Sequence, residues 1–172
     1  MTDEEFLFLL DPAWPAGEND DAPFEAVLGV WQVGEDGEVG EDGEVGEFRS
    51  NPDYRPHFPD SPADPVDALL RLIAAGAAPP AHLGAVLRAS TLHLAVNGDG
   101  RPLVVPAPDD ERCVVVATGE PHRERVPAPG WRPLDLAELA AVAGERDALV
   151  NPGGSAPARL AAAFLRETAA TR

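Results

Sequence analysis

The stretch ALVNPGGSAPARL, residues 148–160, has the outline of a phosphate cradle, with an apolar strand, paired glycines and a helix start in succession. A Walker-type loop needs G-x-x-x-x-G-K-[ST], and the chain has no lysine; a dinucleotide loop needs G-x-G-x-x-G, and Gly153-Gly154 has no third glycine at that spacing. The same residues make a corner without any ligand. Asn151 can bond nearby backbone, Pro152 stops the strand, two glycines permit positive φ, and Pro157 suits a first helical turn.

The remaining chemistry-bearing residues are scattered. His57, His82, His93 and His122 lie in four separate segments with no i, i+4 pair and no H-E-x-x-H, so their spacing signals no metal site. His93 alternates with Leu92 and Leu94 and is expected to face outward; His122, beside Arg123 and Arg125, reads as part of a solvated basic helix, with a small anion site as the alternative. Ser50, Ser61, Ser90 and Ser155 lack a G-x-S-x-G elbow. Cys113 sits within CVVVAT, where burial opposes thiolate formation, and a lone cysteine builds neither a disulfide framework nor a cysteine zinc site. Carboxylates are abundant before residue 65, but on exposed loops they lack the shifted proton affinities that acid–base catalysis requires. The reading is a protein without catalytic residues, metal or cofactor.

A chain of 172 residues is long enough for a core that needs no staples. Its formal charge of −17 is lopsided. Residues 1–65 hold 18 acids against Arg49 and Arg55, a net of −16; residues 66–172 hold 12 acids against 11 arginines, a net of −1. Such a front repels nucleic acid and anionic lipid and speeds encounter with a basic protein, or it serves only to keep the chain dissolved. The absence of lysine beside heavy Ala, Pro and Gly usage points to a high-GC bacterial genome. MTDEEFLFLLDPAW places acids where a signal peptide carries basic residues, and its apolar run is too short to cross a bilayer, so a cytoplasmic location is expected.

The elements follow from punctuation and period. FLFLL (6–10) reads as a strand stopped at Asp11-Pro12, and EAVLGVWQV (25–33) as another with period two. The latter runs into GEDGEV, a hexad written twice and begun a third time. Glycine falls at the wrong offsets for a calcium loop, and a hexapeptide solenoid needs more coils to bury a core. The Asp36-Gly37 and Asp42-Gly43 dipeptides instead suggest a duplicated hairpin tip returning into VGEFRS. After a proline-rich connection, Asp64-Pro65 starts a helix whose Val66, Leu69, Leu70 and Ile73 form one stripe, ended by Gly76; a shorter helix follows with Leu83, Val86 and Leu87 inward.

Beyond residue 90 the pattern tightens into strands. TLHLAV, RPLVVP and CVVVAT alternate with the turns NGDG and APDDER, and the unbroken run from Cys113 to Ala117 suits a central strand covered on both faces. GEPHRERV is expected to be a short helix and GWRPL a short strand or extended lead. Asp135 and Glu138 form a capping box before LAELAAVAG, with Leu134 and Leu139 as its staple. DALVN is a further strand, and APARLAAAFLRETAATR a final helix with Leu160, Ala163 and Phe164 inward.

The succession RPLVVP, CVVVAT, GWRPLDLAELAAVAG and LVNPGG resembles the SseB N-terminal-domain family over about residues 65–172. Nearly the whole chain, through FLFLLDPAW, NPDYRP, SPADPVDALLRL, RPLVVPAPD and GWRPLDLAEL…LVNPGG, is similar to the type VII secretion system-associated proteins of high-GC bacteria. The resemblance implies an α+β fold, with a mixed sheet packed by about four helices. Residues 61–172 would form an SseB-like domain, and residues 1–60 an acidic β extension tipped by the hexads, themselves an insertion relative to a single EDG turn. It further implies a cytoplasmic, actinobacterial accessory or adaptor that binds a basic protein partner, a secretion component or effector, without chemistry. An immunity-like protein that occludes a basic secreted toxin is the alternative. No catalytic residue comes with the family. The expected interaction surface is the front half, with Glu35, Asp36, Glu41 and Asp42; Trp14, Trp31 and Tyr54 are either anchors in it or, the commoner role for such rings, core packing.

Overall fold

A computed structural model of the chain describes residues 6–15, 22–33 and 45–171. The fold is mixed α and β, with two sheets and, among the described residues, five α-helices. It divides into two compact units, Met1–Ala89 and Ser90–Arg172. The GEDGEV hexads, with Glu35, Asp36, Glu41 and Asp42, lie outside the described residues.

The first unit is built on a three-stranded antiparallel sheet of β1 (Phe6–Leu10), β2 (Val27–Gln32) and β3 (Phe48–Ser50), with β2 in the middle. The register pairs Leu7 with Trp31 and Trp31 with Phe48, so these side chains share one face, and Leu9 lies on it beside Gly29. Leu9, Trp31 and Phe48 are buried. Gly29 has to be glycine because the Phe48 ring lies directly over it: a Cβ there would touch Phe48 Cζ and come within 2.6 Å of the Arg49 carbonyl.

Helices α1 (Pro65–Ala74) and α2 (Leu83–Arg88) pack against this sheet. The start of α1 follows the expected rule, with the Asp64 carboxylate accepting from the Asp67 amide at 2.9 Å and proline at the first position. Its stripe of Val66, Leu69 and Leu70 is buried, and His82, just before α2, lies with its ring 5.1 Å from that of Trp31. A sequence-based boundary at residue 60 falls inside this unit. The α1 stripe needs an apolar sheet to cover, and β1–β3 supply it.

The second unit carries a six-stranded mixed sheet. Its strands are β4 (Leu92–Val96), β5 (Val104–Pro106), β6 (Arg112–Ala117), β7 (Gly130–Leu134), β8 (Asp147–Val150) and β9 (Ala158–Leu160). The order is β7-β4-β6-β8-β9, with β5 also on β6; β6 and β8 run parallel and the other pairs antiparallel. The run Cys113–Ala117 is the central strand and is buried throughout, as its unbroken apolar character requires. The NGDG turn forms with Gly100 at φ 77° and the Asn97 side chain accepting from Asp99 and Arg101 amides.

Three helices complete this unit: α3 (Glu120–Arg123), α4 (Leu136–Ala143) and α5 (Ala162–Ala170). The capping box of α4 is present in both directions, each bond 2.8 Å. The last segment differs from the sequence reading. Residues 158–160 pair with β8 as a sixth strand, and the helix begins only at Ala162, so Ala162, Leu165 and Thr168 turn inward in place of Ala163 and Phe164. Strand pairing with β8 overrides the helical propensity of the alanine-rich sequence.

Candidate functional site

Of the three aromatic rings that could be anchors or core, Trp31 and Tyr54 are core. Trp31 is 2 % exposed, wedged between Phe48 and His82 with ring centres 5.0 and 5.1 Å away. Tyr54 is buried as well. Its hydroxyl donates to the Pro62 carbonyl at 2.9 Å and reaches the Asp11 carboxylate at 3.3 Å, which Ser61 Oγ also meets, at 2.5 Å. Burial, reinforced by the Asp11 charge, holds the Tyr54 phenol well above its usual proton affinity. Neither ring can touch a partner without opening the unit, because each fills space that its neighbours close. Trp14 is half-buried, stacked on His57 at 5.1 Å and edge-on to Phe58 at 5.2 Å.

The exposed apolar surface lies elsewhere in the same unit. Phe6, Phe8 and Leu10 are 41 %, 55 % and 37 % exposed, and Phe24 is 62 % exposed; these are the exposed large apolar side chains among the described residues. The first three alternate along β1, so they stand in a row on the face opposite Leu9. Phe6 faces Gln32 and Phe8 faces Val30 across the ladder; Phe6, Val30, Gln32, Glu47 and Arg49 line a small open depression there. A signal for this row existed in FLFLL: a strand with no polar alternation must show apolar side chains on both faces.

The same strand is an edge. Gln32 donates to the Glu47 carbonyl and accepts from the Gly46 amide, both on the β3 side, so strand alternation turns the backbone of Trp31 and Gly29 towards β1. Their partners Leu7 and Leu9 therefore spend their backbone groups on β2, as Asp11 does in donating to the Ala26 carbonyl at 2.8 Å. The N–H and C=O groups of Phe6, Phe8 and Leu10 point to the free side, where no strand pairs with β1 among the described residues. By sequence the unit that carries this edge holds 19 acids and four arginines, a net of −15, whereas the second unit holds 11 acids and nine arginines, a net of −2.

In the second unit the polar clusters serve the fold. Asn151, at φ 50°, accepts from the Thr118 amide and donates to the Thr118 hydroxyl, both at 2.9 Å, tying the ends of the parallel strands β6 and β8 together. His122 is not solvated as its arginine neighbours suggested. It is buried against the same corner, and a Cβ at Gly154 would lie 3.2 Å from its Nδ1. Arg125 caps the corner by donating to the Gly153 carbonyl at 2.8 Å. The apparent phosphate cradle is thus occupied by the chain's own side chains.

Arg159 on β9 bridges Asp147 and Asp109 at 2.8 Å each. The Ala162 amide and then Arg159 hold the Asp147 carboxyl below the usual range, the Arg159 bond does so for Asp109, and both carboxylates raise the guanidinium. Burial pushes the Cys113 thiol up, against nucleophilic use. Among the described residues no group of three or more His, Cys, Asp or Glu side chains is placed to hold a metal ion, and no helix is long and apolar enough to cross a membrane.

Fold and surface together define an α+β chain of two compact units, one of which joins a strongly acidic sequence to an open, apolar-faced sheet edge. Comparison with family models, curated proteins and solved structures gave no match to this chain.

Proposed function

We propose that this chain is a non-enzymatic, cytoplasmic accessory of a type VII secretion system, SseB-like over residues 61–172, that works by binding a protein partner with a basic surface. The observation that carries the reading is the coincidence, within one unit, of a net charge of −15 with the exposed apolar side chains Phe6, Phe8, Leu10 and Phe24. A monomeric surface has little reason to leave two phenylalanines about half exposed side by side on one strand; such patches mark interaction sites. The acid excess supplies long-range steering, and the apolar row supplies contact area. The resemblance of FLFLLDPAW, SPADPVDALLRL and GWRPLDLAEL to secretion-associated proteins supplies the setting.

The same charge also favours an immunity-like role, since acidic partners neutralise basic nucleases by occluding their sites. Affinity purification of the tagged chain from an actinobacterial host carrying it, followed by mass spectrometry and reconstitution with purified components, tests both. A secretion component that forms a stoichiometric complex supports the accessory reading. A toxic effector whose activity is suppressed supports the immunity reading, and turnover of a small molecule, lost on a single substitution, contradicts both.

A further inference from the structure

We propose that the free edge of β1 is a strand-addition site that takes an extended, basic segment of a partner protein, with alternate apolar side chains laid along Phe6, Phe8 and Leu10. The inference rests on the protein-binding reading above and specifies its site and ligand chemistry.

Three observations converge on the same residues. Phe6, Phe8 and Leu10 point their side chains to the open face of the sheet, and the pairing pattern turns their N–H and C=O groups to the unpaired side. A single extended segment pairing in register would satisfy both at once, through main-chain bonds for affinity and alternate side chains for selectivity. Proteins guard such edges with inward charges, proline or a covering loop, and β1 has no proline or charged residue within Phe6–Leu10. Among the described residues no strand has to be displaced from it.

Charge selects the occupant. A second copy of this chain would bring another unit of net −15 against the first, so edge-to-edge self-pairing is opposed at long range. A segment rich in arginine or lysine is drawn in by the same field. Two charged side chains of opposite sign, Glu47 and Arg49, border the depression beside Phe6, which leaves selectivity there to the apolar row and to the wider acid excess.

The test uses the full chain and a dye-labelled peptide, acetyl-(Val-Arg)5-amide, followed by fluorescence anisotropy. Saturable binding is expected at low salt, weakening at least about tenfold in 0.5 M salt. The peptide methylated on alternate backbone nitrogens, and acetyl-(Val-Glu)5-amide, should each bind at least about tenfold more weakly. Phe8→Asp should also weaken binding, although it adds a negative charge that would tighten a purely electrostatic complex. Phe6→Ser gives a second variant, and an unchanged thermal melt shows that both remain folded. Equal binding of the methylated peptide overturns the proposal, as does tighter binding by Phe8→Asp. Concentration-dependent dimers of the chain alone, abolished by Phe8→Asp, would assign the edge to a second copy and overturn it too. Capture of a reconstituted partner with unchanged affinity by Phe8→Asp leaves the accessory reading intact and refutes this site alone.

Discussion

The two units solve the problem of covering a sheet in different ways. In the second, β6 is flanked on both edges and covered on both faces, β9 extends the sheet beyond β8, and no large apolar side chain among the described residues is exposed. In the first, a three-stranded sheet is covered on one face by the two helices over Trp31 and Phe48, while among the described residues its other face leaves Phe6, Phe8 and Leu10 exposed along the edge strand β1. Both sheets have edge strands, β1 and β3 in one and β7 and β9 in the other, but among the described residues the acidic unit alone exposes large apolar side chains. On the reading proposed above, the contrast teaches that stability and interaction are divided along the chain, with contact placed where the charge lies.

The sharpest way to break this comparison is to attack the covered face of the acidic unit. Trp31→Ala removes the largest fully buried side chain there, and should cost about 3–5 kcal/mol, read as a lowered urea midpoint by circular dichroism. Gly29→Ala should cost about 1–3 kcal/mol in the same assay, because the new methyl meets the Phe48 ring and the Arg49 carbonyl.

The second unit should answer to its corner. Asn151→Ala loses both Thr118 bonds and strains a position at φ 50°, costing about 2–3 kcal/mol; Asn151→Gly keeps the backbone geometry and should recover part of the loss. Asp135→Ala, which removes the capping box of α4, should cost about 1 kcal/mol. By contrast Phe8→Ser, at a site 55 % exposed, should leave stability within about 0.5 kcal/mol of the parent. A large loss there would mean that the row is structural, and the division of labour between the units would fail.

The smallest effect is electrostatic. Asp147 and Asp109 have carboxyls held below the usual range, so their contribution to stability is present above about pH 4 and is lost as pH falls through the depressed values. Arg159→Met should therefore flatten the fall in melting temperature between pH 6 and pH 3 while changing the melt at pH 6 only slightly, since the ion pairs are largely solvated.

Local signals carried much of this fold. Asp64-Pro65, the Asp135–Glu138 box, the NGDG turn and the apolar run at Cys113 each act over a few residues, and each appears where its chemistry requires. What depended on tertiary partners was not legible. Residues 158–160 pair with the edge of β8, His122 is buried beside Gly154 at the Asn151 corner, and α1 joins the first unit because β1–β3 present a face to cover. The site shows the same divide. The charge asymmetry can be counted, and Trp31 and Tyr54 are core, the commoner role for such rings, but the exposed row became visible once the pairing of β1 with β2 showed which way each side chain faces.

Amide hydrogen exchange, resolved residue by residue along β1, tests the central claim most directly. In the free chain the Phe6, Phe8 and Leu10 amides should exchange much faster than those of Leu7 and Leu9, which bond β2, and should become protected when acetyl-(Val-Arg)5-amide is added. Equal protection of all five amides in the free chain, or no change on adding the peptide, would contradict an open edge that receives a partner strand.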